Sequence, residues 1–110
     1  MRFLSLPEEL ILLAVWKIGN DAYCIPIREK VSEISGRDWS LGAVYVPLSR
    51  LEKKGLVKSR LGSPTKMRGG RGKRYYALTK SGLKALAEMR ELQESLWLGA
   101  PRIVIDETPS

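Results

Sequence analysis

The sequence predicts a mostly helical α+β fold in which four helices accompany one antiparallel β-hairpin. Two observations lead to this fold class. Apolar residues recur at helical spacing in four segments, and capping or stop signals bound these segments. Between the third and fourth segments the apolar pattern changes to alternation, on both sides of a glycine-rich stretch typical of a turn. A length of 110 residues suits one domain with a modest core.

The first two helices are predicted at about residues 6–19 and 25–35. Helix 1 begins with a capping box, in which Ser5 caps the helix and Glu8 reaches back to it. A glycine follows each helix and ends it, and Gly36 does so for helix 2. The expected core positions are Leu10, Leu13, Ala14 and Ile18 in helix 1, and Ile27, Val31 and Ile34 in helix 2.

The third helix is predicted within the segment "WSLGAVYVPLSRLEKKG", with Ser40 as its N-cap and Gly55 as its terminator. Pro47 lies in the interior of this helix and should bend or loosen it locally. Trp16 in helix 1 and Trp39 just before helix 3 are both expected to pack against neighbouring elements. The predicted buried stripe of helix 3 consists of Leu41, Val44, Leu48 and Leu51.

The opposite face of helix 3 begins with small residues and ends in cations. Its members are Gly42, Ala43, Val46, Ser49, Arg50 and Lys53, with Tyr45 on the border. A helix that enters the major groove of DNA needs small side chains where its backbone approaches base edges. It also needs cations that contact phosphates. This face is therefore typical of a DNA-reading helix.

After Gly55 the sequence predicts a β-hairpin with a long basic tip. The strands are "LVKSRL" at 56–61 and "KRYYAL" at 73–78, and the intervening "GSPTKMRGGRG" is turn material. Tyr75 and Tyr76 point to opposite sides of the second strand, so at least one of them is expected in the core.

The chain ends with a fourth helix and a short tail. Helix 4 is predicted at about 79–98, with Thr79 as its cap. Residues 1–78 are then one folded unit, and the tail at 99–110 contains an apolar patch at 103–105 that is too short to fold alone. The apolar residues of helix 4 at helical spacing are Ala85, Met89, Leu92 and Leu96.

Positive charge is concentrated in one segment of the chain. The net charge is +7 and the isoelectric point is near 9.8. From Arg50 to Arg74 there are ten Lys or Arg residues and one acid, Glu52, so this segment carries +9 and the remainder −2. A block of one sign on a nearly neutral body indicates a polyanionic partner.

The composition argues against several other classes of protein. There is no histidine, and a single cysteine, Cys24, leaves no disulfide framework and no thiolate metal cluster. No nucleophile–base pair or acid cluster is present, so we expect no enzyme activity and no cofactor or metal. Cys24 is expected to act as a small buried hydrophobe. The longest apolar run, at 10–16, is too short to span a membrane, which predicts a soluble cytoplasmic protein.

The basic segment "KMRGGRGKRYY" at 66–76 allows several interpretations. A P-loop is excluded because Met67 stands where its first glycine should be and Arg74 follows the lysine. An RNA-binding Arg-Gly patch, a solvated loop and a surface for an acidic protein partner stay open as alternatives. The position between two strands favours the tip of a DNA-binding wing. Its predicted contact residues are Arg68, Arg71 and Lys73, with Gly69 and Gly70.

The order of elements is that of a winged helix-turn-helix, because three helices with a close turn at Gly36 precede a basic hairpin. Three segments extend the likeness: "EELILLAVWKIG", "LGAVYVPLSRLEKKGLV" and "GGRGKRYYALTKSG". Together they resemble the PadR-like family of transcriptional regulators, from about Leu4 to Leu92. The short fourth helix resembles the compact branch of that family.

The resemblance implies a repressor that binds palindromic operator DNA as a homodimer joined by its C-terminal helix. Together with the border position of Tyr45, it favours a DNA phosphate contact by that residue. Ser40, the cap of the DNA-facing helix, also belongs to the predicted DNA-binding set. In some compact relatives a tryptophan of the last helix stacks on planar drugs between subunits, so a small-molecule effector is left open. The implied interface residues are Ala85, Met89, Leu92, Leu96 and Trp97.

Overall fold

The computed structural model describes residues 3–62 and 73–106. The elements are α1 (Leu6–Ile18), a short 3-10 turn (Gly19–Asp21), α2 (Cys24–Ser35), α3 (Leu41–Lys53), β1 (Val57–Leu61), β2 (Arg74–Leu78) and α4 (Lys80–Trp97). The mostly helical α+β fold is confirmed, and the predicted bounds of α1, α2, α4 and both strands agree to within one residue. In the described part of the chain, no helix is long and apolar enough to cross a membrane.

A buried carboxylate joins the beginning of α1 to the end of α3. Glu8 accepts a hydrogen bond from the Ser5 backbone N–H at 2.9 Å, which completes the predicted capping box. Its other carboxylate oxygen accepts from the Lys54 ammonium at 2.6 Å, and the Glu8 side chain is only 6% exposed. Burial raises the pKa of Glu8, but the hydrogen bonds from Lys54 and Ser5 outweigh it, so the pKa lies below its ordinary value.

Helix α1 runs through the middle of the fold and is buried on more than one side. It contacts α2, α3, β2 and α4. The predicted single stripe is therefore only partly correct, because Leu10, Leu13 and Ile18 are half-buried while Ile11, Leu12 and Val15 join Ala14 in the core. An apolar run such as "LILLAV" has no polar face from which a pattern could identify the core side. The prediction that Trp16 packs is wrong, because this side chain is 57% exposed.

The turn between α2 and α3 is held by side chains of α2. The Trp39 backbone N–H donates to the Ser32 hydroxyl at 3.2 Å, and its indole N–H donates to the Ser35 hydroxyl at 2.9 Å. The Arg28 guanidinium donates to the Trp39 carbonyl at 3.2 Å. The expected packing of Trp39 against the core is confirmed. On α2, Ile27 and Val31 are buried as predicted, but Ile34 is 37% exposed.

The inner face of α3 fills the centre of the core. Val44, Leu48 and Leu51 are fully buried as predicted, and Pro47 is buried beside them within a continuous helix. The prediction for Leu41 is wrong, because this residue is 48% exposed. Leu41 is the first residue of α3 and precedes the turns that meet α1 and α2.

The antiparallel hairpin packs one of its faces on the core. Its register pairs Val57 with Leu78 and Arg60 with Tyr75. Tyr76 is buried, which confirms that one of the two tyrosines belongs to the core. The Tyr76 N–H donates to the Ala22 carbonyl at 2.8 Å, so β2 is also tied to the segment that precedes α2.

The first half of α4 is locked against the beginning of the hairpin. The Thr79 hydroxyl accepts from the Gly82 N–H at 3.1 Å and donates to the Gly55 carbonyl at 2.6 Å. A Cβ at Gly82 would lie 2.0 Å from the Leu56 carbonyl oxygen, so only glycine allows this approach. Met89 is buried on the same core.

Candidate nucleic-acid interface

The first turn of α3 presents an open surface with almost no side-chain bulk. The Ser40 hydroxyl oxygen accepts the Ala43 N–H at 3.1 Å and so determines where the helix begins. Gly42 and Ala43 are exposed. The nearest atom to a Cβ built on Gly42 would be the Ser40 hydroxyl oxygen, 4.0 Å away. A flat molecular surface can therefore approach the backbone of this turn closely.

The middle of α3 carries Tyr45 and Val46, which are 58% and 48% exposed, and Ser49, which is half-buried. On β2, burial raises the pKa of the Tyr76 hydroxyl, and the charges of Glu52 and Tyr45 raise it further.

Two cations end the exposed face of α3 without a carboxylate partner. Arg50 and Lys53 are exposed, and among the described residues no Asp or Glu forms a salt bridge with either of them. Lys54, in contrast, is paired with Glu8. Acids therefore neutralise some cations of the basic segment and leave Arg50 and Lys53 open to an anionic ligand.

A second partly neutralised cation, Arg74, lies at the loop end of the paired strands. Arg74 donates to the Ser59 hydroxyl at 2.9 Å, and that hydroxyl donates to the Glu52 carboxylate. This chain of hydrogen bonds links the last turn of α3 to both strands. Glu52, the one acid of the basic segment, thus helps to connect α3 to the hairpin.

Two further cations of the hairpin segment each lie over an aromatic ring. The Lys73 ammonium lies 4.3 Å from the centroid of the Tyr23 ring, and the Arg60 guanidinium lies 4.8 Å from that of Tyr75. The two rings meet edge to face at 5.5 Å. The sequence pattern identifies Lys73 as a contact residue but does not identify Arg60 or Tyr23. The alternation of the strand could have placed Arg60 opposite Tyr75, whereas nothing local relates Tyr23 to Lys73.

The remaining predicted wing residues, Arg68, Gly69, Gly70 and Arg71, lie outside the described residues. The structure therefore brings together the predicted residues of α3 and, through the Glu52–Ser59–Arg74 link, places the last turn of that helix beside the strands that lead to the tip.

The predicted interface residues of α4 separate into two groups. Met89 is predicted to lie at the dimer interface, but it is only 8% exposed and packs on the core of its own chain. Ala85 and Leu92 are half-buried against the same core. Leu96 and Trp97 are 69% and 63% exposed, and they are the members of the set that remain accessible.

Cys24 is half-buried and packs against the core, as expected for a small hydrophobe, although it is not fully enclosed. Burial raises the pKa of its thiol, and the nearby Arg28 offsets only part of that rise. The thiol is therefore held in its protonated, less reactive form. Within residues 3–62 and 73–106, no group of three His, Cys, Asp or Glu side chains could hold a metal ion.

A three-helix unit with a tight turn before α3, followed by an antiparallel hairpin, defines a winged helix-turn-helix protein. The sequence profile of the Transcriptional regulator PadR-like family matches residues 12–88. The chain belongs to this family, and it is therefore a DNA-binding transcriptional regulator and not an enzyme.

Solved structures of similar proteins agree with this assignment. RosR of Halobacterium salinarum is 25% identical with a TM-score of 0.69, over 91% of this chain and 83% of that one. A PadR-like transcription factor of Bacteroides fragilis is 25% identical with a TM-score of 0.67, over 81% of each chain. A PadR family transcription regulator of Clostridium difficile is 28% identical with a TM-score of 0.61, over 86% of this chain and 88% of that one. No curated protein matches the sequence.

Proposed function

We propose that this protein is a sequence-specific repressor that binds a palindromic operator as a homodimer, with α3 in the major groove. The observation that carries the proposal is the exposed face of α3. It combines an open first turn at Gly42 and Ala43 with the cations Arg50 and Lys53, which form no salt bridge with any described Asp or Glu. Membership of the PadR-like family supports DNA binding as the general role.

In the proposed complex the two ends of α3 have different tasks. The small residues of the first turn let the backbone approach the base edges. The Ser40 oxygen already accepts the Ala43 N–H, so its own O–H is left to donate to a phosphate. Tyr45, Val46 and Ser49 lie over the groove. Arg50 and Lys53 contact phosphates beyond it, which sets the register of the helix on the duplex.

The hairpin supplies affinity more than sequence choice. Near the loop end of its strands, the cations Arg60 and Lys73 lie over aromatic rings. Arg68 and Arg71, with Gly69 and Gly70, extend the positive charge to the tip, as the sequence predicts. Cations on such a segment act through attraction to the phosphate backbone, which does not depend on base identity.

A homodimer would present two copies of α3 about a two-fold axis, which is the symmetry that a palindromic operator requires. Leu96 and Trp97 support self-association because they are exposed near the end of α4. We assign residues 1–78 to DNA binding, 79–98 to dimerisation and 99–110 to the tail, with a cytoplasmic location. The shared core beneath Met89 means that this division is one of role and not of separate folding.

The proposal is tested by isolating the preferred operator from randomised duplexes and titrating the full-length protein against it and against a scrambled duplex. Arg50→Ala should weaken binding to both and reduce the slope of log K against log salt by about 0.9 for each phosphate that the arginine no longer neutralises. Lys84→Ala is the matched control, because it removes the same charge from an exposed position on α4. It should leave both affinity and slope nearly unchanged.

Equal affinity for operator and scrambled duplexes would contradict sequence-specific binding. Tighter binding to single-stranded RNA or to an acidic protein, with Arg50→Ala neutral, would favour the alternative roles of the basic wing. The repressor assignment is tested by transcription in vitro from a promoter that overlaps the selected operator. Addition of the protein should lower transcript yield, and an increase would indicate an activator.

A further inference from the structure

An exposed apolar segment comprises the last turn of α4 and the described residues that follow it, 94–106, and we call it the C-terminal arm. Six of its large apolar side chains are exposed, by 63% to 85% of their surface. They are Leu96, Trp97, Leu98, Ile103, Val104 and Ile105. So many apolar side chains in one short segment are typical of an interaction site and not of a solvated terminus.

An apolar groove of about 500 Å³ lies elsewhere on the same chain, between α1 and α4. Its apolar lining comprises Leu13, Trp16, Leu83, Leu86 and Ala87. Trp16 is 57% exposed and Leu83 is 37% exposed, so neither is satisfied by the core. The polar rim includes Glu9, Arg90 and Gln93, and the Gln93 amide donates to Glu9 at 2.9 Å across the groove.

The last turn of α4 offers too little apolar surface to join two chains on its own. Met89 is buried within the chain, and Ala85 and Leu92 are half-buried on its core. Only Leu96 and Trp97 of the predicted interface remain widely exposed. A stable interface buries roughly 1,200–2,000 Å² in total, so a homodimer must recruit surface beyond these two residues.

We propose that the C-terminal arm of each protomer lies in the α1–α4 groove of a second copy of this chain. The inference rests on the proposed homodimer and specifies the surfaces that form it. In a two-fold interface one surface meets a different surface of the partner, and the reciprocal contact forms at the same time. An arm and a groove on one chain form such a complementary set.

The dimensions of α4 agree with this arrangement. Leu83 and Trp97 are about 21 Å apart along the helix axis at 1.5 Å per residue. If the two α4 helices pair antiparallel, the end of one helix therefore lies beside the groove of the other. From there an extended segment from Leu98 to Ile105 covers up to about 25 Å, which is enough to follow the groove along α1.

The chemistry of the two surfaces is also complementary. The arm contributes three consecutive β-branched side chains, Ile103, Val104 and Ile105, which favour an extended backbone against a flat apolar surface. Arg102 precedes them and matches the Glu9 carboxylate on the groove rim. Docking would therefore cover Trp16, the large aromatic residue of α1 that the fold itself leaves exposed.

Sedimentation of the full-length protein and of two substituted proteins tests the proposal. The arm variant combines Ile103→Asp with Ile105→Asp, and the groove variant is Leu83→Asp. Each should raise the dimer dissociation constant at least about 100-fold, because several apolar side chains per dimer lose their burial. Ile25→Asp is the matched control, since Ile25 is 49% exposed on α2 and belongs to neither surface. Circular dichroism of each variant establishes that the chain remains folded.

Disulfide trapping identifies which copy holds the arm. In a Cys24→Ser background, one protein carries Leu83→Cys and a second, differently tagged protein carries Leu98→Cys. Mild oxidation of the mixture should yield a disulfide between the two tags. If both substitutions in one chain give only a disulfide within that chain, the arm folds back on its own groove and the proposal is overturned.

The sedimentation outcomes distinguish the two levels of inference. A full-length protein that stays dimeric while the arm and groove variants dimerise as tightly would overturn arm docking and leave the homodimer intact. A full-length protein that is monomeric at micromolar concentration would overturn the proposed homodimer and, with it, arm docking.

Discussion

Helices α3 and α4 are both amphipathic, but they differ in how far the chain itself buries their apolar side chains. In α3, the residues Val44, Pro47, Leu48 and Leu51 are all buried by the chain itself. In the longer α4, only Gly82 and Met89 are buried. The inner face of α3 therefore needs nothing from outside the molecule, whereas α4 leaves apolar surface uncovered along its second half.

The chemistry of what remains exposed differs in the same way. The outer face of α3 ends in Arg50 and Lys53, which have no salt-bridge partner within the described part of the chain and suit a polyanion. The end of α4 exposes Leu96 and Trp97, which suit another protein surface. The kind of partner that each helix requires can thus be deduced from the type of side chain that its own fold leaves unsatisfied.

The largest expected effect is a loss of stability on truncating a buried residue of α3, compared with a small loss on truncating an exposed residue of α4. Leu48→Ala should lower the free energy of unfolding by about 2–5 kcal/mol, because it removes a fully buried side chain and leaves a cavity. Leu96→Ala removes the same atoms from a site that is 69% exposed, and it should change the unfolding free energy of the monomer by no more than about 0.5 kcal/mol. Urea denaturation at dilute protein concentration compares the two.

If the two substitutions destabilise the dilute protein equally, the end of α4 is packed within the chain, and the contrast between the helices does not hold. At higher protein concentration Leu96→Ala should begin to lower the midpoint, because association then contributes to the measured stability.

A smaller effect concerns the carboxylate that anchors the end of α3. Glu8→Gln should lower stability at neutral pH by about 1–2 kcal/mol, because Lys54 and Ser5 lose a charged acceptor. The folded pKa of Glu8 is lowered, so its contribution is present above the unfolded pKa near 4.5 and is lost as the pH falls through the folded value. The stability curves of the variant and the parent should therefore converge in acid.

Measuring unfolding free energies from pH 7 downward checks this sign. The control is Glu33→Gln, which removes an exposed carboxylate paired with Lys30 at 3.5 Å and should shift stability little at any pH. A Glu8→Gln difference that stays constant down to pH 3 would mean that the Lys54 contact does not depend on charge.

The smallest effect separates the folding role of Ser40 from its proposed contact with DNA. Ser40→Ala removes the N-cap and should cost about 1 kcal/mol of stability. Ser40→Asp keeps a capping oxygen and should retain most of that stability, but its negative charge faces the proposed DNA surface. Thermal melts and operator titrations of the two variants should therefore rank them in opposite orders. The same ranking in both assays would show that Ser40 acts only as a cap.

Much of the architecture could be predicted because its signals are local. The capping box of Ser5 and Glu8, the caps Ser40 and Thr79, and the change of period after Gly55 each act within a few residues. Local signals of this kind determine where elements begin and end. The predicted bounds were accordingly correct to within one residue.

The errors concern which side of an element is covered, and this depends on distant segments. Trp16 could not be placed because the run at 10–16 contains no polar residue that would mark the solvent side of α1. Met89 is covered by a core that forms only when α4 returns to the start of the hairpin. The contacts of Lys73 with Tyr23 and of Lys54 with Glu8 join residues far apart in the chain. Periodicity contains no information about such pairs.

The close approach of Gly82 to the Leu56 carbonyl has a consequence for operator geometry. Gly82 lets α4 lie directly against the backbone of Leu56, in the segment that joins α3 to β1, so we expect this contact to fix the angle between α4 and α3. In the proposed homodimer the distance between the two recognition helices then depends on how the α4 helices cross. Gly82 would therefore help to determine the number of base pairs between the two half-sites, although it lies far from the proposed DNA-binding surface. Binding affinity measured on operators with different numbers of base pairs between the half-sites should show a single sharp optimum. Equal affinity at all spacings would show that the angle between α4 and α3 is not fixed.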